Sequence, residues 1–133
     1  MRDGRTKKLT SPSQTRTPKA ILSSHRAALV IVSGAMAGTE HELAELRTIL
    51  GRGPGVDIVV DDAAMSRQHV AFEIVGDGFR MRDLGSTNGV LLNGEAVEAA
   101  DLKHGDRLRI GGHEFRFLLE EREREPRTWV VDE

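Results

Sequence analysis

Turn-forming residues divide the second half of the chain into short segments. Asp77-Gly78, Asn93-Gly94 and Gly111-Gly112 each separate two apolar runs, and the stretch DLGSTNG covers residues 83–89. Asn, Asp and Gly accept the positive φ angles that tight hairpin turns require. Segments this short leave no room for long helices and favour β-hairpins.

The segments between the turns have a period of two. Val70, Phe72 and Ile74 fall on one face of an extended chain, and Phe79 and Met81 alternate with arginines. Strict alternation of apolar and polar residues is typical of a strand with one buried face. The sequence therefore predicts an all-β sandwich or barrel.

The first half of the chain fits the same class. The run AALVIVSG, residues 27–34, is β-branched and ends in glycine, which predicts a buried strand. Residues 40–50, EHELAELRTIL, have leucines near helical spacing, but the segment is short and its flanks are rich in glycine. Two strands are favoured there over one weak helix.

Composition excludes several classes of protein. The 133 residues contain no cysteine, which excludes disulfides, thiol nucleophiles and zinc–thiolate sites. No apolar run approaches the roughly 18 residues of a membrane span, and the N-terminus lacks the layout of a secretion signal. We therefore expect a cytoplasmic protein without membrane contact.

Charge and composition divide the chain into three parts. Residues 1–26 carry seven basic residues and Asp3, a net charge of +6, so the remainder carries −8 of the total of −2. The Ser, Thr, Pro, Lys and Arg content of the beginning predicts a disordered basic tail at 1–25. A folded domain is expected at 26–120 and a charged extension at 121–133.

Three segments at predicted turns or strand ends carry polar side chains. Arg52 lies between two glycines, Ser66 and Arg67 precede the strand that begins at Val70, and residues 85–89 hold further hydroxyl and amide groups. A guanidinium offers a planar set of donors that matches phosphate or carboxylate. Taken singly, each segment is equally compatible with an ordinary surface turn.

Other chemistry has little support in the sequence. Ser66 lacks the Gly-x-Ser-x-Gly turn of a serine hydrolase, and the histidines show no metal-ligand spacing, so neither an enzyme nor a cofactor is expected. Asp61 and Asp62 are interpreted as a solvated turn rather than an acid–base pair. Basic residues are not interleaved with aromatic ones, which argues against nucleic-acid binding by the domain.

Together the three segments resemble the forkhead-associated (FHA) family. The resemblance covers residues 28–119 and depends on Gly51-Arg52, Ser66-x-x-His69, Thr87-Asn88-Gly89, the second Asn-Gly pair and the strand GDRLRIG. It implies an FHA-type β-sandwich of about eleven strands that binds phosphothreonine peptides through loops at one end.

The resemblance also implies a role for each matching residue. It assigns phosphate or peptide contacts to five residues, and it assigns loop shaping to Gly51, His69 and Gly89. The five are Arg52, Ser66, Arg67, Thr87 and Asn88.

The expected function is that of a non-enzymatic signalling adaptor. Its partners would be a threonine-phosphorylated protein and a Ser/Thr protein kinase. The tail adds candidate phosphorylation sites that could occupy the domain's own pocket: Thr6, Thr10, Thr15 and Thr17. The alternative is a tethering protein whose basic tail binds nucleic acid or an anionic surface, with the sandwich as a protein-docking module.

Overall fold

The computed structural model describes residues 19–122, and the candidate threonines of the tail lie outside this range. It contains one short helix followed by eleven strands. The elements are α1 (Ile21–Ser24), β1 (His25–Ile31), β2 (Glu40–Glu42), β3 (Arg47–Gly51), β4 (Ile58–Val59), β5 (Val70–Val75), β6 (Gly78–Asp83), β7 (Val90–Leu92), β8 (Glu95–Val97), β9 (Ala99–Leu102), β10 (Arg107–Ile110) and β11 (His113–Glu121).

The strands form two sheets. One has five strands in the order β9-β6-β5-β3-β4, and the other has six in the order β2-β1-β11-β10-β7-β8. Neighbouring strands are antiparallel except for β3 and β4. The predicted all-β sandwich of about eleven strands is confirmed.

The core lies between the two sheets and follows from the alternation in the sequence. In β6, Phe79 and Met81 are buried, whereas the arginines between and after them are exposed. The rings of Phe79 and Phe117, from opposite sheets, have their centroids 5.6 Å apart. Aromatic pairs at this distance add to the free energy gained by burial.

The strand directions place three loops at one end of the sandwich. Because β5 is antiparallel to both β3 and β6, the end of β3, the start of β5 and the end of β6 meet there. The turn between β5 and β6 lies at the opposite end. Helix α1 is also there, because Ile21 and Asp77 line the same surface cavity.

Two of the predicted hairpins form at the predicted turns, and one is shifted. Asn93 and Gly94 both have positive φ, 51° and 91°, as the turn between β7 and β8 requires. Val75 pairs with Gly78, so the β5–β6 turn is Gly76-Asp77 rather than Asp77-Gly78. Gly76 has the positive φ, 60°, that this turn requires, one residue before the predicted turn.

One further segment agrees with the predicted elements, and two elements differ from them. Residues 40–50 form β2 and part of β3, as favoured over a helix. Strand β9 was not foreseen. Helix α1 lies within the range assigned to the disordered tail, and its Ile21 is buried in the core, so the described order begins before residue 26. Across the described range no helix is long and apolar enough to span a membrane.

Candidate functional site

The candidate site is formed by the three loops that meet at one end of the sandwich. We call them the first loop (residues 52–57, after β3), the second loop (residues 60–69, before β5) and the third loop (residues 84–89, after β6). Each contains one of the three polar segments that the sequence analysis identified.

The first and second loops are joined through their backbones. The N–H of Arg52 donates to the carbonyl of Ser66 at 3.1 Å, and the N–H of Gly53 donates to the carbonyl of Arg67 at 3.2 Å. A Cβ atom on Gly51 would collide with the Arg67 carbonyl oxygen, so this approach requires glycine at position 51. Gly51 thereby fixes the base of Arg52 against Ser66 and Arg67.

The third loop is attached to the second through side chains. The N–H of Thr87 donates to Ser66 Oγ at 3.1 Å, and Asn88 Nδ2 donates to the carbonyl of Ala64 at 2.8 Å. Because Ser66 Oγ accepts this bond, its own hydroxyl proton stays available for donation to another acceptor. Ser66 therefore contacts both neighbouring loops.

His69 connects the second and third loops through hydrogen bonds of its ring. Its ring is fully buried; Nδ1 is 3.0 Å from the N–H of Ser66, and Nε2 is 2.8 Å from the carbonyl of Gly89. The backbone N–H can only donate and the carbonyl can only accept. These two partners therefore fix a neutral imidazole with its proton on Nε2.

The third loop also holds its own shape. The N–H of Ser86 donates to Asp83 Oδ1 at 3.1 Å, and Ser86 Oγ accepts from the N–H of Gly89 at 2.9 Å. Gly89 has a φ of 74°, which favours glycine. Thr87 and Asn88 are consequently exposed at the tip of a closed turn.

Asp62 has a structural role that the sequence reading missed. Its carboxylate accepts hydrogen bonds from the N–H of Ala64 at 2.8 Å, the N–H of Gly112 at 2.7 Å and His113 Nδ1 at 2.8 Å. The side chain is only 10% exposed. The interpretation of Asp62 as part of a solvated turn is wrong, because the residue ties the second loop to the β10–β11 turn.

The hydrogen bond from His113 lowers the pKa of Asp62, and the two backbone N–H groups lower it further, while burial acts in the opposite direction. Asp62 is thus held as a carboxylate. This fixed carboxylate connects Ala64, in the segment that leads to Ser66, to Gly112 and His113 of the opposite sheet.

The Lys and Arg residues of the three loops are Arg52 and Arg67 alone. Both are exposed, and within residues 19–122 neither guanidinium makes an ion pair. In contrast, Arg82 is bound to Glu73 at 2.8 Å. No group of acidic residues, histidines or cysteines in the described range has the arrangement of a metal site.

The structure thus brings the sequence-predicted residues to one place in two layers. Arg52, Ser66, Arg67, Thr87 and Asn88 are on the three loops with their side chains exposed or half-buried, while the loop-shaping residues lie at the base or within the turn. Sequence reasoning missed Asp62 and Ser86, because single Asp and Ser residues in a turn give no signal of their partners.

Comparison with known proteins agrees with this architecture. A family model described as the inner membrane component of T3SS, cytoplasmic domain (Yop-YscD_cpl), matches residues 30–121. The glycogen accumulation regulator GarA of Mycolicibacterium smegmatis is 37% identical over 115 residues, 83% of this chain and 73% of that protein. The oxoglutarate dehydrogenase inhibitor of Corynebacterium glutamicum is 36% identical over 109 residues, 82% and 75% of the two chains.

Solved structures decide the family. An FHA domain from a study of phosphothreonine-dependent FHA interactions superposes with a TM-score of 0.65 at 30% identity, over 70% of this chain and 95% of that one. The chain is an FHA-domain protein related to GarA. The Mycobacterium tuberculosis protein EmbR, solved with a low-affinity phosphopeptide, gives a TM-score of 0.67 at 33% identity, over 75% of this chain and 26% of that one.

The relatives also indicate the class of activity. They are named for regulation and inhibition rather than for catalysis. This FHA-domain protein is accordingly a non-enzymatic adaptor of the GarA type.

Proposed function

We propose that the three loops bind a phosphothreonine peptide, with Arg52, Ser66 and Arg67 on the phosphate and Thr87 and Asn88 on the peptide. The observation that carries this proposal is the meeting of two unpaired guanidinium groups and a free hydroxyl donor at one end of the sandwich. A phosphothreonine brings about −1.5 to −2 charges and three acceptor oxygens. The loops supply the matching donors.

The fixed geometry of the loops favours binding. Hydrogen bonds to charged groups contribute about 1.5–3 kcal/mol each, and donors held in place before binding lose little conformational entropy. The backbone of Arg52 is bonded to Ser66, and the backbone of Thr87 is bonded to Ser66 Oγ. Two or three such contacts lead us to expect a micromolar dissociation constant.

The test is titration of a phosphothreonine peptide library against the wild type and Arg52→Ala. Because Arg52→Ala removes one charged hydrogen bond, we expect the peptide to bind this variant about 10- to 100-fold more weakly. Arg80→Ala is the matched control, because Arg80 is also exposed but is paired with Asp101 away from the loops. Equal binding by the wild type and Arg52→Ala would refute the role of Arg52.

A Ser/Thr protein kinase would supply the ligand, on a client protein or on the tail of this chain. The client proposed from the relatives is an oxoglutarate dehydrogenase, the enzyme for which the inhibitor proteins are named. A cytoplasmic location agrees with both partners and stays a prediction. Phosphorylation of Thr6, Thr10, Thr15 or Thr17 would turn the tail into a competing ligand.

The alternative function, tethering through the basic tail, predicts a different behaviour. Binding to DNA or anionic vesicles would fall steeply with salt and would be lost on removal of residues 1–26. It would be unaffected by Arg52→Ala. These two variants separate the two functions in one set of titrations.

A further inference from the structure

A second group of unpaired arginines lies on the outer face of the six-stranded sheet, away from the three loops. Five of the ten arginines in residues 19–122 form ion pairs with carboxylates; these are Arg26, Arg47, Arg80, Arg82 and Arg122. Two of the remaining five belong to the candidate site. The other three, Arg107, Arg109 and Arg116, are all exposed.

These three arginines are neighbours in the sheet. Arg107 of β10 is directly opposite Arg116 of β11, and Arg109 lies two residues further along β10. Side chains at such positions point to the same face, and Leu108 and Ile110 between and after them are buried on the other. We call Arg107, Arg109 and Arg116 the outer arginine group.

This arrangement is unfavourable for the isolated domain. Like charges directly opposite each other across two strands repel. Residues 19–122 contain twelve Lys and Arg against sixteen Asp and Glu, so acidic partners are abundant elsewhere. Glu114 is opposite Arg109, yet no ion pair in the described range joins the two.

The outer arginine group borders a concave surface. A cavity of about 210 Å³ is lined by Leu91, Asn93, Gly94, Arg107, Arg109 and Glu114. Leu91 is 38% exposed and is paired with Arg109 in the sheet, so an apolar side chain adjoins the guanidinium. Arginine beside apolar surface is a composition enriched in protein–protein interfaces.

We propose that the outer arginine group is a second docking surface, for an unphosphorylated acidic segment of a partner protein in extended conformation. Arg107 and Arg109 are separated by about 7 Å along the strand, and carboxylates at alternate residues of an extended segment have the same separation. Guanidinium groups bind carboxylates with two parallel hydrogen bonds. The net charge of −4 over residues 19–122 favours a short acidic segment over a continuous polyanion such as DNA.

The test uses a short labelled peptide that alternates Glu with Ser, and an isomer with the glutamates grouped at one end. We expect the alternating peptide to bind the full chain more tightly than the isomer, with amide shifts in β7, β10 and β11. Arg109→Glu should weaken binding at least tenfold. Lys103→Glu, the same charge change at another exposed position, should leave binding within twofold.

Other results would overturn the proposal. These are no binding at about 1 mM peptide, equal binding by wild type and Arg109→Glu, or an equal loss in Lys103→Glu. Tighter binding of a labelled DNA duplex to the same strands would assign the face to nucleic acid instead. Arg109→Glu should still bind the phosphothreonine peptide, so the two surfaces are tested independently.

Discussion

Gly51 lacks a side chain because the second loop leaves no space for one. The carbonyl oxygen of Arg67 occupies the position of a Cβ atom, and this oxygen belongs to the backbone, so it cannot rotate away. We expect Gly51→Ala to lower the free energy of unfolding by about 1–3 kcal/mol or more. Gly78→Ala is the control, because Gly78 has open space and an ordinary φ; urea denaturation should show a change within about 0.5 kcal/mol.

Asp62 is the second residue on which the loop end depends. Asp62→Asn keeps the size of the side chain but replaces the carboxylate that accepts three hydrogen bonds with an uncharged amide. We expect a loss of about 1–3 kcal/mol in stability. Asp61→Asn is matched in chemistry and neighbouring in sequence, but Asp61 is exposed and should change stability little. Similar losses in both variants would contradict the assigned role.

The same residue makes a prediction about pH. The pKa of Asp62 is lower in the folded state than its ordinary value of 3.8, chiefly through the hydrogen bond from His113. Its stabilisation is therefore complete above pH 3.8 and is lost as the pH falls through the lower, folded value. Glu73 responds in the same direction because Arg82 lowers its pKa.

Comparison of variants separates the two acidic groups. The midpoint temperatures of thermal unfolding of wild type and Asp62→Asn should differ most above pH 4 and become equal in stronger acid. Glu73 is present in both proteins, so its titration does not contribute to the difference. A constant difference at every pH would mean that Asp62 acts through packing alone.

Individual residues of the candidate site differ in how far the sequence predicts their contacts. The positions of Arg52 and Ser66 were accessible from pattern and family resemblance, because their glycine and strand neighbours are adjacent in sequence. The partners of Asp62 are 50 and 51 residues away, at Gly112 and His113. Such contacts arise only once two sheets are packed, so an Asp in a turn looks the same with or without them.

At the scale of elements, His69 connects loops that share no sheet pairing with each other. His69→Ala would leave the half-buried N–H of Ser66 and carbonyl of Gly89 without their side-chain partner and would open a cavity at the buried position of the ring. We expect a loss of about 2–4 kcal/mol and faster hydrogen exchange at Ser66.

A second histidine provides the matched comparison. His104 Nδ1 likewise accepts a backbone N–H, from Leu119 at 3.0 Å, but His104 is exposed and water can replace it. His104→Ala should cost less than about 1 kcal/mol. Equal losses of stability in His69→Ala and His104→Ala would show that the hydrogen bonds of His69 do not hold the loops together.

The elements themselves were predictable where alternation and turns agreed. Asn93-Gly94 satisfies both φ requirements of its turn, and the hairpin forms there. At residues 76–78 two glycines flank Asp77, so two turns one residue apart fit the sequence, and the pairing of Val75 with Gly78 selects the earlier one. Helix α1 lacks acidic residues in its first turn, and burial of Ile21 rather than local sequence accounts for its place.

For the whole molecule, the two unpaired arginine groups lie on different parts of the sandwich. One is at the loop end and the other is on the outer face of the six-stranded sheet. The proposed phosphothreonine site would respond to kinase activity, and the proposed outer surface would not. A partner that contacts both would bind more tightly than either contact alone allows, provided that one segment can span them.

The position of α1 sets which tail threonine could reach the domain's own loops. The chain enters beside Asp77, at the end opposite the loops, and β5 alone spans about 20 Å of the intervening length. Counting from Ile21 at no more than about 3.6 Å per residue, Thr17 reaches about 14 Å and Thr15 about 22 Å, while Thr10 reaches about 40 Å and Thr6 about 54 Å. Thr17 is too close to the entry point, and Thr15 has no slack for the path around the surface.

We therefore expect phosphorylation of Thr6 or Thr10 to occupy the loops of the same molecule. Chains phosphorylated singly at each threonine would be compared by amide shifts at Ser66 and Asn88 over a dilution series. For Thr6 and Thr10 the shifts should not depend on protein concentration, because the ligand is part of the same chain. For Thr17 any shift should disappear on dilution, since only a second molecule could supply the phosphate. Concentration-independent shifts with phosphorylated Thr17 would contradict the entry point at α1, and their absence for all four threonines would exclude an intramolecular switch.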